Sequence, residues 1–175
     1  SEHMIDRAEA LRVERGLGNV RFARRDGEDA IEGEAAFDAA LCALGLMYMP
    51  DPIRAMAATR QALRPGGRAV AAVWGRRKAC GWAGVFPIVD ARVASDVCPM
   101  FFNLGTGEAL ETVFREAGFA EISSERLSYA LHFEGPKQAC GAALVGGPVA
   151  LAYARFDEAT RDEARAEYLD SIAAH

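Results

Sequence analysis

Apolar and polar positions divide the chain into a run of short elements. Met4, Ala8 and Leu11 recur at the spacing of one helix face, with Ser1 as cap, Glu2 in the first turn, and Gly16 and Gly18 as stops. Asn19 to Ala23 then alternates as a half-buried strand, and residues 24–36, rich in Asp, Glu and Gly, read as a loop. Phe37 to Leu46 is apolar apart from Asp38 and Gly45, which predicts a strand covered on both faces, as in a parallel sheet. Asp51-Pro52 opens a helix whose buried face is Ile53, Met56, Ala57 and Leu63, and Pro65-Gly66-Gly67 ends it. Ala69 to Trp74 is the next strand, again apolar throughout.

Alternation of strand and helix from Val20 to Trp74 predicts an α/β fold with a doubly wound, mostly parallel sheet and right-handed crossovers. Residues 75–104 are irregular, with Trp82, Phe86, Ile88 and Val89 at the spacing of a short amphipathic helix and an aromatic turn from Pro99 to Phe102. They read as a lid or substrate insertion. Thr106 or Gly107 starts a helix with Leu110, Val113, Phe114 and Ala117 on one side, and Gly118 supplies its left-handed end, over which Phe119 folds back. Glu121–Arg126 and Ser128–Phe133 are close enough to pair as an antiparallel hairpin. Residues 134–175 form a helical extension, with segments from Pro136, after Pro148, and from Asp157 carrying Ala164, Tyr168 and Ile172.

Composition narrows the possible roles. A chain of 175 residues, 51% hydrophobic and 26% charged, has the makeup of one globular domain, and its net charge of −5 with interleaved basic residues argues against nucleic acid. Cys42, Cys80, Cys98 and Cys140 are dispersed, and His3, His132 and His175 complete no ligand set, so the reading is reduced thiols, no metal site and a cytoplasmic location. No apolar run approaches the ~20 residues that span a bilayer, which gives no membrane role.

Five motifs carry a resemblance. They are Asp26-Gly27-Glu28, Phe37-Asp38-Ala39-Ala40, Met49-Pro50-Asp51-Pro52, Leu63-Arg64-Pro65-Gly66-Gly67-Arg68 and Glu116-Ala117-Gly118-Phe119. Their order and spacing resemble the later motifs of class I S-adenosylmethionine-dependent methyltransferases, especially the small-molecule enzymes related to ubiquinone and menaquinone biosynthesis. The resemblance runs from Ser1 to about Phe133 and implies a Rossmann-like domain over residues 1–175, truncated at its N-terminus. The family's acid-x-Gly-x-Gly-x-Gly loop and the strand-ending acid that holds the ribose do not occur in the sequence. Gly16-Leu17-Gly18 follows a helix and Gly105-Thr106-Gly107 lacks a third glycine, so both read as turns.

The resemblance implies a cofactor, S-adenosylmethionine, and a small-molecule acceptor. Asp26 is placed to accept from the adenine amino group while the N–H of Gly27 donates to a ring nitrogen, and Cys42, Ala43 and Leu44 lie at a strand's carboxyl end, where open parallel sheets take ligands. Tyr48 stands at the rim, and Trp74, Trp82, Phe86 and Phe102 suggest an apolar acceptor pocket, beside which Arg76, Arg77 and Lys78 could hold an anionic group. The sulfonium is already an activated methyl donor, so no catalytic side chain is assigned; positioning and exclusion of water are the protein's part. With the glycine-rich loop missing, activity is expected to be impaired. The rival expectation is a non-catalytic remnant that binds partners or forms homo-oligomers through an exposed sheet edge.

Overall fold

The structure, a computed structural model, describes residues 1–29, 35–93 and 99–173. Cys98, His175, the middle of the 24–36 loop and residues 94–98 of the insertion lie outside the described residues. Helix α1 (Glu2–Glu14) forms as the spacing predicts, held by a Glu9–Arg12 ion pair at 2.6 Å and ended at Gly16, with φ of +65°. It buries no side chain, and its expected inward residue Met4 is 69% exposed. The strand expected at Asn19–Ala23 does not form: residues 19–26 are irregular, and no described segment runs alongside to supply ladder partners.

Strand β1 (Phe37–Ala43), helix α2 (Pro52–Ala62) and strand β2 (Leu63–Ala72) make one βαβ unit, with the two strands parallel and paired from Ala39↔Arg68 to Ala43↔Ala72. Helix α2 starts where Asp51 accepts a hydrogen bond from the Arg54 N–H at 2.9 Å, with Pro52 following. The Pro65-Gly66-Gly67 segment is part of β2 rather than a separator. Gly66 takes φ of +79°, and a side chain at Gly67 would press on the carbonyls of Arg64 and Asp38, so the chain bulges there and the register slips between Phe37 and Ala39. The expectation that β1 is covered on both faces is corrected: Leu41 is 76% and Val70 58% exposed. Among the described residues, only the face bearing Cys42, Ala69, Ala71 and Val73 meets helices.

Past β2 the backbone turns helical. Single 3-10 turns at Arg77–Ala79 and Gly81–Gly84 lead into α3 (Val85–Asp90), and another at Pro99–Phe102 precedes α4 (Ala109–Glu116). Gly118, at φ of +86°, closes α4; the Phe119 N–H then bonds the Phe114 carbonyl at 3.0 Å and the two rings sit 5.2 Å apart. The hairpin expected over residues 121–133 is not formed, and that segment runs without a ladder. The rest is helical: α5 (Pro136–Cys140), which runs directly into a π-helical turn at Gly141–Val145, α6 (Ala150–Tyr153) and α7 (Glu158–Ala173).

Two cores result. The smaller, around Leu46, Met56, Val113 and Phe114, lies between the βα unit and α4. The larger joins α3, α5, the π-turn, α6 and α7 around Val85, Val89, Leu144, Val149 and Tyr168, all fully buried. No helix among the described residues is long and apolar enough to cross a membrane.

Candidate functional site

The site is organised by one short segment, Leu44 to Asp51, leaving the carboxyl end of β1. Leu44 adopts φ of +55°, a left-handed conformation that costs a branched side chain roughly 1 kcal/mol or more. Its N–H bonds the Ala72 carbonyl at 2.9 Å, which pins the strained residue between the ends of the two strands. A 3-10 turn, Leu46–Tyr48, follows; Leu46 and Met47 go into the interior and Tyr48 stays 58% exposed.

Asp26 and Gly27 dock against this segment. The Glu28 N–H donates to Asp26 Oδ1 at 3.0 Å, closing an Asx turn, and Glu28 Oε1 accepts from the Asp51 N–H at 2.7 Å. Gly27 lies against the Met49 thioether so closely that a side chain there would displace it, and Asp29 meets Arg54 at 3.3 Å. The loop bearing Asp26 is thus fastened to Met49 and to the start of α2. Cys42 is half-buried and packs towards the smaller core, while Ala43 and Leu44 are exposed.

Across from the strand ends is a cavity of about 450 Å3. Three of the residues expected to hold an acceptor line it: Tyr48, Trp74 and Trp82. Trp74 follows the end of β2 and meets Trp82 at 5.1 Å; Tyr48 sets its ring edge-on to Phe101 at 5.3 Å. Phe86 and Phe102 do not line the cavity. They stand behind Trp82, at 5.8 and 5.7 Å, and serve the larger core.

Sequence reasoning missed most of the remaining wall. Phe101 could have been found beside Phe102 in the aromatic turn. Leu131 and Phe133 arrive because Arg126 clamps the extended segment, its guanidinium donating to the carbonyls of Gly105 and Gly107 at 3.0 and 2.9 Å. Gly105 in turn lies hard against the Trp74–Gly75 backbone, where no side chain fits. Ala142, Ala143, Gly146, Gly147 and Pro148 come from the π-turn and the loop after it, and Tyr168 from α7. Small residues and a π-turn leave no periodic signature.

The basic run is elsewhere. Arg77 and Lys78 line a separate cleft of about 540 Å3 with Gly81, Gly84 and Ser171. Burial pushes the thiol of Cys80, at that cleft, above its ordinary pKa, and the thiol donates to the Gly75 carbonyl at 3.6 Å. It is therefore no poised nucleophile. Among the described residues no group of three or more His, Cys, Asp or Glu could hold a metal ion.

For S-adenosylmethionine the fit is one-sided. Asp26 supplies a carboxylate, one oxygen of which already accepts from the Glu28 N–H, as an acceptor for an adenine amino group. Gly16-Leu17-Gly18 closes a helix, and among the described residues no glycine loop joins a strand to a helix N-terminus, where the methionine carboxylate would bind. Compared with known families, residues 1–67 match the model of a methyltransferase domain. No curated protein matches the chain.

Proposed function

We propose that the protein acts in S-adenosylmethionine-dependent methyl transfer to a small-molecule acceptor, as in the class I enzymes its motifs resemble. The observation that carries this reading is the Leu44–Asp51 segment, which serves both halves of such a site: Met49 and Asp51 hold the Asp26 loop, and Tyr48 lines the aromatic cavity. The methyltransferase-domain match over residues 1–67 covers this segment and supports the same chemistry. In the proposal Asp26, Gly27, Ala43 and Leu44, with the backbone of Cys42, face the cofactor, and Tyr48, Trp74 and Trp82 face the acceptor.

A bound sulfonium supplies an activated methyl group. The chain's own residues need only place an acceptor in line and keep water out, which suits a cavity whose lining, among the described residues, is aromatic and aliphatic and carries no carboxylate or histidine. Transfer of labelled methyl groups from S-adenosylmethionine to a mixture of small acceptors tests it. The expected result is slow transfer that saturates only near ~1 mM cofactor, because few polar anchors hold it, and further loss in Asp26→Ala. No transfer at saturating cofactor would reject the reading.

A second reading has its own observation. The exposed sheet face at Leu41 and Val70, with unpaired edges on both strands among the described residues, suits a non-catalytic fold that self-associates. Sedimentation showing a dimer that Leu41→Ser dissociates, together with absent methyl transfer, would favour it.

A further inference from the structure

We propose that the π-turn and the loop after it are the specificity element of the cavity, that they select an uncharged, flat ring system, and that Ala142 sets its size limit. The inference rests on the cavity being the acceptor site. Its first support is the chemistry of the lining, which among the described residues holds no Asp, Glu, Lys, Arg or His. A charged acceptor entering it would lose its hydration with no counter-charge to replace it.

The second support is the division of that lining into large and small. Trp74, Trp82, Phe101 and Tyr48 supply ring faces and edges, and Ala142, Ala143, Gly146 and Gly147 supply almost no side chain at all. A side chain at Gly147 would run into the Ala143 carbonyl, so the backbone itself forms the wall there. A slot with rings and a bare backbone in its lining takes a planar molecule better than a branched one, and about 450 Å3 is room for a ligand of about two or three rings.

The third support is the π-turn. Its i→i+5 bond, from the Gly146 N–H to the Gly141 carbonyl at 2.8 Å, inserts an extra residue immediately after α5. Such bulges are rare and occur frequently at functional sites. Here the turn presents Ala142 to the cavity while Leu144 anchors it in the larger core and Val145 stays 64% exposed, away from the lining. Ala142 is itself exposed, so enlarging it narrows the slot without overfilling the core.

Both tryptophans of the chain line the cavity, so intrinsic fluorescence reads its occupancy directly. Titrations without cofactor would use chromone (two fused rings), flavone (the same with a third ring) and chromone-2-carboxylate. Chromone and flavone are expected to bind, with the carboxylate weaker by about tenfold or more. Ala142→Leu is expected to weaken flavone by about tenfold and leave chromone within about twofold, and Val145→Leu to change neither. Equal binding of the carboxylate, or an Ala142→Leu variant that takes flavone as wild type does, overturns the proposal. Because no cofactor is present, ring binding without methyl transfer sinks only the methyltransferase reading. Methyl transfer to charged acceptors as readily as to neutral ones sinks only this inference.

Discussion

The βα portion and the helical portion of this molecule are built to different standards. Up to β2 the sequence carries four of the five family-like motifs and matches a methyltransferase domain over residues 1–67, yet among the described residues the sheet has two strands and one covered face, with Leu41 and Val70 in solvent. The helical portion from Ala83 to Tyr168 lies beyond that match, carries the one remaining motif at Glu116-Ala117-Gly118-Phe119, and holds the larger core, with Val85, Val89, Leu144, Val149 and Tyr168 fully buried. Motifs that specify a site are loop and turn residues, which a family keeps recognisable through their backbone geometry. Burial is a separate property, and here the two are concentrated in different parts of the chain.

The largest effect should come from opening the better-packed portion. Leu144, fully buried on the π-turn, is expected to cost about 3 kcal/mol as Leu144→Ala, measured by urea denaturation. Since Leu144 anchors the turn that carries Ala142 and Ala143, flavone affinity should fall in the same variant under native conditions. A cost below about 1 kcal/mol would mean that this core is loosely packed, and the contrast would collapse.

The same core contains an imperfection that gives an effect of opposite sign. Tyr168 is fully buried and its hydroxyl has no hydrogen-bond partner; the Cys140 thiol beside it is spent on the Arg165 carbonyl at 4.0 Å. Burial raises the pKa of this hydroxyl, with Cys140 adding to the rise. Tyr168→Phe removes the stranded group and keeps the ring, and is expected to stabilise the fold by about 1 kcal/mol, seen as a higher midpoint in the same titration. Destabilisation would show that the hydroxyl has a partner in solution.

The distinction between motif and burial also explains what the sequence made legible. Local chemistry was readable: the Asp51-Pro52 start of α2, the Gly118 end of α4 with Phe119 folded over it, and the Asp157 start of α7, whose carboxylate accepts from the Thr160 N–H at 2.9 Å. Apolar runs also located β1 and β2. Pairing was not readable, because alternation at Asn19–Ala23 and over residues 121–133 states only that a segment could join a sheet; a ladder needs a second strand at the right place. Of the expected acceptor residues, Tyr48 and Trp74 reach the cavity because they follow strand ends, and Trp82 reaches it from the 3-10 turn Gly81–Gly84. Phe86 and Phe102 turn inward because a helix face and an aromatic turn were needed to build a core. The wall from Ala142 to Pro148 was invisible, since its contribution is the lack of side chains.

The smallest expected effect is the sharpest test of the contrast. Leu41 stands 76% exposed at the middle of β1, on the uncovered face of the sheet, with Val70 opposite it in the register as the neighbouring strand's exposed residue. If that face meets water, replacing Leu41 with serine removes almost no buried area, and β-propensity is the only term left, so Leu41→Ser should stay within about 0.5 kcal/mol of wild type. The midpoint should also be independent of protein concentration, since nothing on that face is being held. A loss of more than about 1 kcal/mol that grows with protein concentration in the wild type would mean that a second copy covers Leu41 and Val70. The βα portion would then be as well packed as the helical one, with its core completed between molecules.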